Sequence, residues 1–278
     1  MPFVLAACGL LIAALALLLI GIPGGGGKGG GPLSPVAEAA EHTASVPGAR
    51  FEGTGSGTFG TGSVQMTFEG AFNSVTGRSR MDMQIQSTSP PAVSTTMTGI
   101  QDGAVVYMSS PLFAGQLPDG ASWMKLDFSD LGDAAATSAQ SAGAVDARQL
   151  LEELRSVAPG ARVVGTERVR GVRTTRYAAT IDPALQAEQL REAGNDEAAA
   201  LIEQGPPPTV GVWVDRKHLV RRMSLTLPIT LPGQPGEQIE MTFDIFGFGA
   251  TPAIEPPPSD DVFDATELGK QMLDAETG

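Results

Sequence analysis

The stretch GSVQMTFEGAF, Gly62 to Phe72, alternates apolar and polar side chains. Its apolar positions are Val64, Met66 and Phe68. A period of two residues is typical of a β-strand that buries one of its faces. The stretch therefore predicts a strand in a sheet with one apolar face and one polar face.

The same alternation continues on both sides of this strand. A weaker, glycine-rich strand precedes it at 50–59. Further strands are predicted in the ranges 78–86, 92–110, 122–128, 161–182, 209–215, 218–229 and 236–248. The range 92–110 reads as a hairpin that turns at Asp102 and Gly103, because Asp-Gly favours a tight turn. About eleven strands result, mostly antiparallel, and a sheet this wide must curl or close. The predicted fold is mainly β with some α: a large curved antiparallel sheet that forms an incomplete barrel.

Three helical segments interrupt the strands. Ser34 with Pro35 predicts a capped start for a helix that runs to about Ser45. A second helix begins at a cap on Asp146 and carries an apolar stripe from Leu150 to Val157, and a third region spans Pro183 to Gln204. Because one face of the sheet must be buried, we expect these helices on its concave side, with a cavity wherever they do not fill the space.

The amino terminus predicts a membrane segment. Phe3 to Ile22 is an uncharged run of 20 residues, long enough as a helix to cross a hydrocarbon layer of about 30 Å. Inside it, LAACG, Leu5 to Gly9, has the residue order of a bacterial lipobox, which would make Cys8 a lipidation site. A lipobox normally follows an apolar stretch and this one precedes most of it. Three alternatives stay open: a retained helical anchor, a cleaved signal peptide and a lipidated Cys8.

Composition divides the chain into four parts. We expect a signal or transmembrane segment at 1–22, a Gly/Pro-rich linker at 23–35, one large domain at 36–268 and a flexible acidic tail at 269–278. The formal charge of −13 argues against a nucleic-acid partner, which would need a basic surface. The single cysteine lies in the first segment, so the domain itself has no thiol for a disulfide or a metal site.

Residues for catalysis are scarce. The chain has only two histidines, His42 on the first predicted helix and His218 at a predicted turn. It contains no G-x-S-x-G nucleophile motif, no phosphate-binding glycine motif and no paired His or Cys at metal-ligand spacing. We therefore expect a protein that is not an enzyme and that has no cofactor and no metal.

Methionine is the distinctive residue of the predicted strands, which contain eight of the ten in the chain. Methionine side chains are flexible and can repack around ligands of different shapes. The alternatives are an ordinary core and a lipophilic cavity. The residues predicted to line the cavity are Met66, Phe68, Met81, Met83, Ile85, Met124, Leu126, Phe128, Met223, Leu225, Met241, Phe243 and Ile245.

Arginine is concentrated in residues 161–176 of the predicted hairpin. Five arginines face a single acid there; they are Arg162, Arg168, Arg170, Arg173 and Arg176, with Glu167. Such residues commonly protect a strand edge from pairing with other chains. The alternative is contact with anionic lipid headgroups at a membrane surface.

Several ordered motifs are similar to those of a known group of proteins. They are the segment GTERVRGVRTTRY at Gly165 to Tyr177, W-V-D at Trp213 to Asp215, and the closing IEMTFDIFGFGATPAIEPPPSDDVFD. Together they resemble the LppX/LprA/LprF/LprG group of actinobacterial lipoproteins over about Val36 to Leu268. The resemblance implies an incomplete antiparallel barrel wrapped around helices, with an apolar cavity for acyl chains and no catalysis.

The expected function is therefore lipid binding and transport in the cell envelope, at the extracytoplasmic face of the plasma membrane, with the N-terminal segment as tether. The expected partners are a lipid or lipoglycan with acyl chains, the membrane surface, and an envelope transport or regulatory protein. The alternative from another class is a membrane-tethered sensor in which the same fold binds a regulatory partner.

Overall fold

A single twelve-stranded sheet dominates the computed structural model, which describes residues 35–59, 62–88, 92–113, 115–130, 160–180, 183–192, 199–200, 203, 205–229 and 237–270. Its strands are β1 (Gly48–Phe59), β2 (Gly62–Asn73), β3 (Arg78–Ser87), β4 (Val93–Asp102), β5 (Val105–Ser109), β6 (Trp123–Asp127), β7 (Arg162–Val169), β8 (Val172–Thr180), β9 (Thr209–Asp215), β10 (Val220–Ile229), β11 (Glu237–Phe246) and β12 (Val262–Asp264). Two ten-residue helices accompany it: α1 (Pro35–Ala44) and α2 (Pro183–Glu192).

The sheet consists of two antiparallel meanders that meet in its middle. Its strand order is β12-β6-β5-β4-β3-β2-β1-β11-β10-β9-β8-β7, so β11 returns to pair with β1. Among the described strands, β12 and β7 are the two ends and the ladder does not close. The predicted mainly-β incomplete barrel is confirmed, with two differences. The described residues form twelve strands, and β12 lies parallel to β6.

Strand register brings the eight strand methionines to one face of the sheet. Residues that pair across an antiparallel ladder point to the same side. One such row crosses seven strands and contains Val212, Met223, Phe243, Gly53, Phe68, Met83 and Met97. The alternation predicted from Gly62 to Phe72 is thus extended by the register into one continuous apolar face.

Helix α1 packs across this face on β9 and β10. It presents mainly small side chains, including Ala39 and Ala40, both fully buried. The fully buried Thr43 connects helix and sheet, because its hydroxyl donates to the Ala39 carbonyl at 2.7 Å and accepts from the Val220 amide at 2.8 Å. The predicted first helix on the apolar face is confirmed. The Ser34 cap and the predicted helix at Leu150 to Val157 lie outside the described residues.

Strand β1 leaves room on the apolar face for two aromatic rings. A Cβ at Gly53 would lie 2.3 Å from the ring of Phe68 and 2.3 Å from the carbonyl oxygen of Thr242. Phe68 and Phe243 occupy that space with ring centroids 4.5 Å apart. The glycine therefore permits a close approach that any larger residue would prevent.

No helix in the described part of the chain is both long enough and apolar enough to span a bilayer. The predicted anchor at Phe3 to Ile22, with Cys8, precedes the residues that the structure describes.

Candidate functional site

Ten of the thirteen residues predicted to line a cavity belong to one buried cluster on the apolar face. Each is at most 6% exposed; the ten are Met66, Phe68, Met81, Met83, Ile85, Met223, Leu225, Met241, Phe243 and Ile245. They come from β2, β3, β10 and β11, the strands that flank β1 in the middle of the sheet. Their shared face follows from register, since each strand contributes alternate residues to it.

The other three predicted residues lie outside this cluster. Met124 and Leu126 are half-buried on β6, which lies next to the edge strand β12. Phe128 begins the single 3-10 turn that follows β6. The alternation in SWMKLDF predicts which face of the sheet each side chain occupies. It does not predict how far the strand lies from helix α1. A role of these three residues in lining a cavity stays a prediction.

Little free space remains beneath α1. A cavity of about 10 Å³ lies between Val36 of the helix and residues of β8 and β9 that include Tyr177 and Val212. That volume is about one water molecule. A larger guest on this part of the face would require α1 to move away from the sheet.

The opposite, polar face contains a much larger space. A trough of about 680 Å³ crosses β4, β3, β2, β1, β11 and β10. Its polar lining consists of Glu52, Thr54, Thr67, Glu69, Asp82, Gln84, Thr96, Thr98, Arg222, Thr242 and Asp244. The trough was not predicted from the sequence, because alternation marks these residues as polar without showing which strands stand side by side.

Two arginine–carboxylate pairs fix the charges in the trough. Arg80 donates twice to Asp82, at 2.9 Å and 2.9 Å, and the Thr98 hydroxyl donates to the same carboxylate at 2.7 Å. Burial alone would raise the pKa of Asp82, but the hydrogen bonds from Arg80 and Thr98 outweigh it and lower the pKa. Arg222 donates to both carboxylate oxygens of Asp244, at 2.5 Å and 2.8 Å, and this hydrogen bonding raises the arginine pKa.

Both histidines are exposed and neither belongs to a catalytic arrangement of described residues. His218 has a left-handed backbone with φ 58°, and its Nδ1 lies 3.2 Å from a carboxylate oxygen of Glu38 on α1. His42 lies near the end of α1. Within the described ranges, no group of three or more His, Cys, Asp or Glu side chains could hold a metal ion.

The arginine-rich segment forms the hairpin β7–β8 at one edge of the described sheet. Arg170, at the turn, pairs with Glu52 and lies 3.8 Å from the Phe246 ring centroid, and Arg176 lies 4.9 Å from the Trp213 ring centroid. Arg173 is exposed and has no ion pair with any described residue. The same edge exposes two valines, Val163 at 63% and Val164 at 47%. The hairpin thus offers charge and apolar surface together.

Comparison with known proteins gives structural matches only. No protein-family model matches the sequence, and no curated protein matches it. The Mycobacterium tuberculosis lipoprotein LppX is 15% identical, with a TM-score of 0.43 over 80% of this chain and 96% of that one. LprF from Mycobacterium bovis is 14% identical, with a TM-score of 0.41 over 82% and 99%. A DUF1329 family protein from Desulfovibrio piger is 12% identical, with a TM-score of 0.25 over 79% and 92%.

The first two matches belong to the group that the sequence motifs resemble. Both matches agree with the resemblance inferred from the sequence, and neither reaches a TM-score of 0.5. Sequence identities of 14% and 15% carry no information about ligands. A function for this chain must therefore be argued from its own side chains.

Proposed function

We propose that the apolar face of the sheet binds the acyl chains of a lipid, with α1 as its movable cover. The observation that carries the proposal is the row of flexible and aromatic side chains that register assembles across seven strands, from Val212 to Met97. Methionine can repack around a chain of any shape at little strain. At ~25 cal/mol per Å² of apolar surface, enclosing several hundred Å² of acyl chain contributes on the order of 10 kcal/mol before the entropy of ordering the chain.

The cover supports the proposal because it is short and presents mostly small side chains to the sheet. Helix α1 has ten residues, and helices of that length are marginal without tertiary contacts. Its buried side chains on the sheet are Val36, Ala37, Ala39, Ala40 and Thr43, most of them small. Moving it away would uncover the part of the apolar face on β9 and β10 while the strand pairing of the sheet remained intact.

We further propose that the protein acts in the cell envelope, where it takes lipid from a membrane and carries it. The β7–β8 hairpin is suited to contact an anionic bilayer, because Arg173 and the exposed Val163 and Val164 lie on one edge. An exposed arginine near an anionic surface contributes about 1 kcal/mol at low salt. In a chain of net charge −13, this local excess of positive charge would also orient the approach.

Photo-crosslinking tests the lipid site. The full-length chain is incubated with a fatty acid that carries a photoreactive diazirine, and the labelled residues are mapped by mass spectrometry. We expect label on alternate residues, such as Met66 and Phe68 but not Gln65 and Thr67, because only the first pair faces the apolar side. Absence of label between residues 35 and 270, or equal label on both faces, would contradict the proposal.

Vesicle co-sedimentation tests the membrane contact. The full-length chain is mixed with phosphatidylglycerol or phosphatidylcholine vesicles at low salt, and the bound fraction is measured. Arg173→Gln should weaken binding to the anionic vesicles about fivefold, as expected for the loss of ~1 kcal/mol. Lys270→Gln removes the same charge far along the chain and should leave binding unchanged. Equal effects of the two variants would point to net charge alone and refute a role for the hairpin.

A further inference from the structure

The polar trough has a chemical character that the lipid proposal does not use. It lies on the face of the sheet opposite the buried methionines, and its volume of about 680 Å³ falls within the range of small-molecule sites, about 300–1,000 Å³. Cross-strand register arranges its side chains in two adjacent rows. The two rows differ in the hydrogen-bond donors and acceptors that they present.

The first row is charged and largely fixed. It runs across six strands in the order Thr98, Asp82, Glu69, Glu52, Asp244 and Arg222. Asp82 and Asp244 are held by arginines as described above, and Glu52 pairs with Arg170. Glu69 stands directly between Glu52 and Asp82, is exposed, and forms no ion pair or side-chain hydrogen bond with other described residues. Like charges opposite each other destabilise a sheet, so the adjacent acids of this row do not serve the stability of the fold.

The second row is neutral and rich in hydroxyl groups. It consists of Thr96, Gln84, Thr67, Thr54 and Thr242. Within the ranges that the structure describes, these five side chains form no hydrogen bond with protein groups, so their donors and acceptors are free. Each threonine hydroxyl can donate one hydrogen bond and accept others, and the glutamine amide can do both.

We propose that the trough is a saccharide-binding site. A sugar hydroxyl both donates and accepts, which matches a row of free hydroxyl and amide groups beside fixed carboxylates and one guanidinium. Arg80, Arg170 and Arg222 pair with three of the four trough carboxylates, and the fourth, Glu69, leaves an excess negative charge that disfavours an anionic ligand. The only lining aromatic residue, Phe68, is buried, so stacking adds little and we expect a dissociation constant of about 1 mM. The proposal does not depend on lipid binding at the other face.

Methyl NMR of threonine provides a direct test. The full-length chain, labelled at threonine methyl groups, is kept in a detergent without sugar headgroups and titrated with maltotriose, α-1,6-mannotriose and cellotriose. We expect saturable shifts of the trough threonines Thr54, Thr67, Thr96 and Thr242 with at least one trisaccharide. Thr180, which is exposed on the distant β8 and does not line the trough, should not shift.

Two variants and two other probes complete the test. Thr67→Val deletes one free hydroxyl and should weaken saccharide binding about fivefold. Thr58→Val makes the same change farther along β1, outside the trough, and should leave binding unchanged. Spermidine and inorganic phosphate are titrated separately. Shifts with spermidine or phosphate but with none of the saccharides would overturn the proposal, as would equal binding by the Thr67→Val variant and the unaltered chain.

Discussion

The hydroxyl of Thr43 offers a sharp test of how the cover is attached to the sheet. Thr43 is fully buried at the end of α1. Among the described residues, its hydroxyl oxygen is the only acceptor for the Val220 amide. Val220 is itself fully buried at the start of β10. Thr43→Val keeps the shape of the side chain and deletes the oxygen, so the Val220 N–H loses its partner in a place that water does not reach.

The size of the effect follows from that loss. A buried donor without a partner costs about 1–3 kcal/mol, whereas valine and threonine have similar helix propensities. Thr174 is a matched control because it is 2% exposed and its hydroxyl donates to the Glu167 carbonyl at 2.9 Å. Thr174→Val leaves only the part-buried Glu167 carbonyl without this hydrogen bond, so we expect the free energy of unfolding to fall by about 0.5–1 kcal/mol. The difference in stability between the two variants measures the cost of leaving the Val220 N–H without a partner.

Two assays on the full-length chain measure this prediction. Urea denaturation gives the free energy of unfolding, and amide hydrogen exchange reports the protection of Val220. We expect Thr43→Val to be the less stable variant, to lose protection at Val220 and to take up an acyl probe faster, since the cover opens more easily. Thr43→Ser, which keeps the oxygen, should retain the protection. Equal stability of Thr43→Val and the unaltered chain, with Val220 still protected, would refute the attachment described here.

Two further predictions concern the sheet itself. Gly53→Ala should destabilise the fold by about 2–3 kcal/mol, because the new Cβ meets the Phe68 ring and a backbone oxygen at 2.3 Å. Gly55→Ala should stay within about 1 kcal/mol in urea denaturation, because its nearest neighbour is the flexible end of Met66 at 3.1 Å, and equal losses would contradict the steric argument. Hydrogen bonds from Thr266 and Lys125 lower the pKa of Asp264 to about 2, below its unfolded value near 4. The carboxylate therefore stabilises the fold above pH 4 and loses this effect toward pH 2, so the destabilisation by Asp264→Asn, below about 1 kcal/mol, should shrink over that interval. A constant difference would show that the charge of Asp264 is irrelevant.

Local periodicity explains why much of the fold could be predicted. The alternation from Gly62 to Phe72 reports directly which side chains share a face, and the Asp102-Gly103 turn lies where the chain reverses between β4 and β5. Gly103 has φ 60°, a conformation that glycine adopts without strain. These features depend on neighbours within a few residues, which is the range over which a sequence pattern acts.

Long-range pairing explains what could not be predicted. Strand β11 joins β1 across about 190 residues of chain, and β12 adds to β6 in parallel through three residues. No local pattern identifies such partners, because main-chain hydrogen bonds are the same for every sequence. The alignment of Asp244 and Thr242 with the trough residues of β1 follows from the pairing of β11 with β1. The trough was missed for this reason: each row takes one residue from each strand.

The contrast between sheet and cover suggests how a lipid could be exchanged. Strand β1 pairs with β2 along the full length from Gly48 to Phe59, and its other edge pairs with β11, so breaking the middle of the sheet means breaking two ladders at once. Helix α1 contributes mostly small side chains and the Thr43 hydroxyl to the same core. Local opening takes place where the fewest buried contacts are lost; among the described residues, α1 packs on β9 and β10, whereas β1 is paired along both of its edges. Lipid uptake by detachment of α1 would thus leave the polar trough on the opposite face unchanged, and both sites could be occupied at once.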